Sequence, residues 1–126
     1  MKKGKKWVYV AGPMAGEPKL NRPKFRRVAA ALRRRGWQVV SPVEIGETMG
    51  LRGESAEEVD QVLLKSVVDA ELRALRACDA IWLMDGWERS AGTLREVVVA
   101  ISFGLELLLE SGGAAKAAKK GGRGMR

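Results

Sequence analysis

Glu96 follows the polar, glycine-containing stretch Asp85 to Gly92 and stands at the start of an apolar helical pattern, a place from which a carboxylate can point back over neighbouring strand ends. Tyr9, Glu71, Asp85, Glu88 and Ser90 lie in other elements and in the loop before Glu96, from which the topology argued below lets them converge on the same crevice. Several carboxylates around one crevice can cleave a glycosidic bond, one attacking the anomeric carbon and another handling the proton. The same Glu96 also suits plain helix-end electrostatics, because the macrodipole favours a carboxylate near a helix N-terminus. The 126 residues include no histidine, which excludes Ser-His-Asp and Cys-His nucleophiles and the usual zinc sites. Catalysis must therefore run on carboxylates, hydroxyls and backbone amides, and no cofactor or metal is expected. The one cysteine, Cys78, cannot form an internal disulfide and reads as a buried thiol in the apolar stretch Leu75 to Ile81.

The elements that must position these groups are legible from periodicity. Trp7 to Ala11 is β-branched and aromatic and ends in Gly12-Pro13, the pattern of a buried parallel strand followed by a loop. Asn21 is placed to cap a helix that tolerates Pro23 in its first turn, buries Phe25, Val28, Ala29 and Leu32, and ends at Gly36. Trp37 to Val40 makes the second strand, stopped by Ser41-Pro42. The stretch from Val43 to Ser55, with Gly46, Gly50 and Gly53, reads as a mobile excursion. Ser55 with Glu58 is a capping-box pattern opening a long helix whose apolar face is Val59, Val62, Leu63, Val67, Ala70 and Ala74. Asp79 to Met84 is the third strand. Thr93 is placed to cap the next helix, with Leu94, Val97, Val98 and Ile101 toward the core, and Leu105 to Leu109 follows Gly104 as a fourth strand. This alternation predicts an α/β fold: a small doubly wound, flavodoxin- or Rossmann-like parallel sheet of four to five strands in the order 2-1-3-4, with helices on both faces. Ligands of such sheets bind outside the carboxyl ends of the strands, where the three polar loops fall.

Length and composition, 46% hydrophobic and 30% charged, fit one globular domain over residues 1–111 followed by a basic Gly/Ala-rich flexible tail over 112–126. The net charge of +8 is concentrated at the ends: four lysines lie within Met1 to Lys6 and five basic residues within 112–126, leaving Trp7 to Ser111 at −1. Nucleic acid is accordingly not the expected partner. No apolar run is long enough to span a bilayer and Trp7 to Ala11 is too short for a signal peptide core, so the expectation is a cytoplasmic protein without a membrane partner.

Four segments in order carry a family resemblance: Tyr9-Val10-Ala11-Gly12-Pro13-Met14-Ala15-Gly16, Asn21-Arg22-Pro23-Lys24-Phe25, Cys78-Asp79-Ala80-Ile81, and Gly86-Trp87-Glu88-Arg89-Ser90-Ala91-Gly92-Thr93 running to Glu96. Together, from Trp7 to about Leu109, they resemble the nucleoside 2-deoxyribosyltransferase superfamily, in a branch common in phages and prophages and related to the 2'-deoxynucleoside 5'-phosphate N-hydrolases. The resemblance implies an N-glycosidase, hydrolase or transferase, in which Glu96 attacks C1' and forms a glycosyl-enzyme ester resolved by water or a second base. It makes Tyr9 the residue that orients Glu96. The phenol would equally need a polar partner if Tyr9 were only a buried core aromatic.

The resemblance further implies a substrate-binding set from three places: Gly12, Pro13 and Met14 in the first loop, Asn21 and Arg22 at the first helix, and Asp85, Trp87, Glu88, Ser90 and Gly92 in the third loop. Ser90, six residues before Glu96, matches the phosphate-contacting serine of the nucleotide hydrolases, where the deoxyribosyltransferases place an aspartate, and so points to a 5'-monophosphate. A loop serine bonding its own backbone is the plainer reading. Trp87 and Met14 can stack on a base or cover the core's edge. Glu71 occupies the place of the family's sugar-contacting, proton-handling aspartate. Ala15 stands where the nucleotide hydrolases carry an arginine, a charge that Arg22 could replace. These departures support an alternative, a non-catalytic protein of the same fold that binds a nucleotide or nucleotide-derived signal. Relatives complete their sites across a subunit interface, which implies a homodimer or larger even-numbered oligomer.

Overall fold

β1 (Trp7–Ala11) is central because it can be buried on both faces: Val8, Tyr9, Val10 and Ala11 are all fully enclosed. It pairs in parallel with β2 (Gln38–Val40) on one side and β3 (Ala80–Leu83) on the other, and β4 (Glu106–Leu109) extends β3, giving the order 2-1-3-4 with every pair parallel. The register sets Tyr9 beside Val40 and Ile81, and Ala11 beside Leu83. The computed structural model describes Gly4, residues 6–53 and residues 59–111. The Ser55–Glu58 capping box, most of the basic N-terminus and the tail 112–126 lie outside these residues.

Alternation along the strands divides the core in two. Val8, Val10 and Ala80 meet α1 (Arg22–Arg34) through Phe25, Ala29 and Leu32. Tyr9, Ala11, Ile81 and Leu83 face the other way, onto α3 (Gln61–Arg76) and α4 (Ala91–Ser102), through Leu75, Val97 and Ala100. Among the described residues, no helix is long and apolar enough to cross a membrane.

The structure corrects several local expectations. The stretch after Ser41 opens with a helix, α2 (Pro42–Thr48), rather than a mobile excursion. Ser41 takes the extended conformation that precedes a helix, Pro42 supplies a preset φ, and Glu44 sits in the first turn. Val43 and Gly46 are buried, and two ion pairs, Arg33–Glu44 and Arg26–Glu47, tie α2 to α1. Long α3 starts at Gln61, capped by the Asp60 carboxylate, which accepts from the Val62 and Leu63 amides. Val62 then points to solvent at 79% exposure, one position off the expected core face.

Asn21 stands at the N-cap position of α1, but with a left-handed backbone and no side-chain bond to the helix amides. It closes a turn in which Lys19, Leu20 and Asn21 all have left-handed backbones (φ 54, 54 and 61), a conformation costing roughly 1–2 kcal/mol per non-glycine residue. The turn buries Leu20, and the Asn21 side-chain amide donates to the Pro13 carbonyl at 2.9 Å.

The cap of α4 is Ser90 rather than Thr93, which lies inside the helix as a buried residue. The core face of α4 is also rotated from the expected one. Thr93, Val97 and Ala100 face inward, while Leu94, Val98 and Ile101 are 43%, 62% and 60% exposed. The helix is apolar on nearly all sides, so periodicity offers two candidate stripes. The smaller side chains take the inner one, where they let the helix approach the sheet closely.

Candidate active site

A cavity of about 380 Å³ opens at the carboxyl ends of β1 and β3, the switch point of a doubly wound sheet. Its chemical end is formed by Glu71 of α3 and Glu96, Thr93 and Arg95 of α4, with Ser90 and Gly12 beside them. Because Ser90 is the cap, Glu96 lies in the second turn of α4 and not the first. Direct macrodipole stabilisation, which fades beyond the first turn, therefore explains its position poorly. Strand alternation instead sends Tyr9 up from β1 beneath it, and the phenol donates a 2.7 Å hydrogen bond to Glu96 Oε2. Tyr9 is fully buried, and burial followed by the neighbouring Glu96 and Glu71 charges pushes its pKa well above 10, so it remains a donor.

The two glutamates have different titration behaviour. Burial raises Glu96 to about 7, offset by the Tyr9 hydrogen bond and the Arg95 charge. Burial raises Glu71 further, to about 8, and the Glu96 charge adds to this while Arg95 opposes it. The first proton to leave thus comes from the carboxyl that Tyr9 supports, and the second is held back by the charge already formed. With one proton gone, the Tyr9 hydrogen bond favours an ionised Glu96 and a protonated Glu71. This is the division of labour a nucleophile and a general acid require.

Of the sequence-derived candidates, Glu96, Glu71, Gly12, Met14, Arg22, Ser90 and Gly92 border the cavity, with Tyr9 directly under Glu96. Ser90 Oγ accepts from both the amide (3.2 Å) and the hydroxyl (2.9 Å) of Thr93, leaving its own proton free to donate. A side chain at Gly12 is forbidden by the core as much as by any ligand, since a Cβ there would stand 2.6 Å and 2.9 Å from carbons of buried Met84. Arg22 reaches across to donate to the Gly53 carbonyl at 2.6 Å and so ties α1 to the chain that follows α2.

The remaining candidates are not brought to the cavity. Pro13 is buried and serves as acceptor for Asn21, and Asn21 acts on the backbone rather than in the cavity wall. Asp85 is drawn toward the end of β4: its amide donates to Glu110 at 2.7 Å and its carboxylate accepts from Ser111 at 2.7 Å. Trp87 packs against the core cluster of Tyr9, Ile81 and Val97, because the short 3-10 turn Trp87–Arg89 folds it inward, and Glu88 on that turn is exposed.

Periodicity missed Arg95, Thr93 and the wall built by α2 and the first half of α3. The Ser41-Pro42 pair with Glu44 was the available signal for α2. Arg95 offered none, since an arginine beside a glutamate on a helix is ordinary. Among the described residues, no group of three or more metal-ligating side chains converges.

The fold around this site is that of the nucleoside 2-deoxyribosyltransferases. A 2-deoxyribosyltransferase from the psychrotolerant bacterium Bacillus psychrosaccharolyticus is similar over 82% of this chain and 70% of its own, with 20% identity and a TM-score of 0.59. A 2-deoxyribosyltransferase from Leishmania mexicana is similar over 82% of this chain, with 22% identity and a TM-score of 0.58. The chain corresponds to 63% of that protein's length. A comparison with curated proteins finds no match. The chain belongs to the family described as a domain of unknown function, DUF4406, whose model matches residues 6–109.

Proposed function

We propose that the protein cleaves the N-glycosidic bond of deoxynucleoside 5'-monophosphates and passes the deoxyribosyl group to water or a second base through an ester on Glu96. The observation that carries this reading is the Tyr9–Glu96 hydrogen bond of 2.7 Å beside a second cavity carboxyl, Glu71, that holds its proton longer. The ionised Glu96 attacks C1', the C1'–N bond breaks, and its electron pair goes to the base nitrogen bonded to C1', which takes the Glu71 proton. In hydrolysis, water then attacks C1', its proton goes to the Glu71 carboxylate, and the Glu96 carboxylate is released. The products are free base and deoxyribose 5-phosphate.

The 5'-phosphate is assigned to the end of the cavity where Ser90 keeps a free hydroxyl proton, α4 begins, and Arg95 supplies positive charge. A panel of deoxynucleoside monophosphates and nucleosides, assayed for released base with wild type and Glu96→Gln, tests the reading. Release by wild type is expected to fall on the order of 10⁴-fold in the variant. Release that survives Glu96→Gln would remove Glu96 from the chemistry.

A second reading, a nucleotide-binding module without turnover, is favoured by Ala15, which leaves that part of the cavity wall without the hydrolases' arginine. Binding of a nucleotide with no base released by wild type would select it. In both readings residues 1–111 act as one cytoplasmic domain and 112–126 as a basic extension. The expected homodimer has a surface available in the exposed Leu94, Val98 and Ile101 of α4, whose stripe begins two residues from Glu96.

A further inference from the structure

The cavity is longer than the chemistry at its carboxylate end requires. Gln61, Leu64, Val68 and Glu71 all border it, so α3 presents one continuous row whose ends are about 15 Å apart at 1.5 Å of rise per residue. Glu71 fixes one end of that row, and the anomeric carbon must lie close to it and to Glu96 for either to act. An unsubstituted purine projecting from that carbon is longer than one helical turn of about 5.4 Å but shorter than two. Its far edge therefore falls between Val68 and Leu64, with a turn of α3 still ahead.

Among the described residues, what lines that remaining length is mostly hydrocarbon. Val43 of α2 and Leu51 form the opposite wall, and Val59 closes toward the start of α3. Leu51 is seated by Gly46, where a Cβ would approach Leu51 Cδ2 to 3.3 Å. Among the described residues, the polar groups at this end have partners: Gln61 Nε2 donates to the Val59 carbonyl at 3.2 Å, the Glu47 carboxylate is paired with Arg26, and Arg22 donates to the Gly53 carbonyl at 2.6 Å. A charged or strongly polar extension would find little to replace its lost hydration here, whereas an alkyl group would bury its surface.

We infer that the preferred substrates are nucleotides whose base carries an apolar substituent, seated in the trough between α2 and α3 beyond Val68; this rests on the nucleotide reading above. The trough is an extension subsite, separate from the groups that hold the sugar and phosphate.

Two series of deoxynucleoside monophosphates test the assignment: uracil with hydrogen, methyl, ethyl or pentyl at C5, and adenine with hydrogen, methyl or pentyl on the exocyclic nitrogen. Base release gives kcat/KM and calorimetry gives Kd for each. In at least one series the affinity is expected to rise about tenfold or more from hydrogen to pentyl, with kcat/KM following. Leu64→Trp, which fills the trough, is expected to abolish that gain. Flat or falling affinity in both series, or no binding by any nucleotide, overturns the inference, and wild type alone suffices to decide it. If the pentyl nucleotides bind more tightly but no base is ever released, the trough stands and the glycosidase reading falls.

Discussion

The two faces of β1 come from one five-residue strand, yet they have different physics. Toward α1, Val8 and Val10 meet Phe25, Ala29 and Leu32 in an apolar cluster whose nearby charges stay outside, as in the Arg33–Glu44 pair. Toward α3 and α4, the neighbouring Tyr9 carries a hydroxyl into the interior and meets a carboxyl that burial disfavours as an ion. The first face is what a fold of this size needs for stability. The second retains polar groups that burial alone would penalise, and it does so where the strand ends open a cavity. Alternation therefore lets a single short strand serve packing on one side and a buried polar site on the other.

The largest expected way to break this contrast is Glu71→Gln. It should lower base release by roughly 10²–10⁴-fold and remove the alkaline limb, near pH 8, from a bell-shaped profile whose acid limb lies near 7. The same variant tests stability. Both glutamates bind protons more tightly when folded, so from the ordinary carboxylate value near 4.5 up to about 8 the folded chain holds more protons than the unfolded one. Stability conferred at low pH is lost as pH rises through that window, and the loss is complete above it. Glu71→Gln should thus raise the melting temperature at pH 9 more than at pH 4, and an equal shift at both would contradict its burial as an acid.

A smaller effect is expected on the other face. Val10→Ala should cost about 2 kcal/mol in denaturant unfolding by opening a cavity under α1, while leaving the limbs of the pH profile in place. Movement of either limb would show that the faces are not independent. Smallest is Tyr9→Phe, which keeps the ring and removes the donor. About a tenfold loss of base release is expected, with the acid limb moving upward because Glu96 loses the hydrogen bond that favours its charge. An unmoved limb would make Tyr9 a packing residue only.

The strand order and the crevice were legible because each rests on strong local signals, buried β-branched runs and a loop at every strand end, whereas the Tyr9–Glu96 relation came only from the family resemblance. Less legible were features decided by competition. The glycines between Gly46 and Gly53 concealed α2, although the Ser41-Pro42 start was present. Ser90 displaced Thr93 as a cap because both are good capping residues three positions apart, and only tertiary packing chose between them. The core face of α4 went to Thr93, Val97 and Ala100 over the larger Leu94, Val98 and Ile101 for the same reason. Asp85, Glu88 and Trp87 sat in the right loop but were turned elsewhere by contacts with Glu110, Ser111 and the core.

The outward stripe of α4 gives protein concentration a place among the variables of this site. Leu94, Val98 and Ile101 expose apolar surface within two residues of Glu96, and Phe103 continues it at 58% exposure. If two copies meet there, association and the setting of Glu96 share a helix, so dilution would loosen both together. Specific activity would then fall as the enzyme is diluted, recover when excess inactive Glu96→Gln chains are added, and follow the same midpoint as the change in sedimentation.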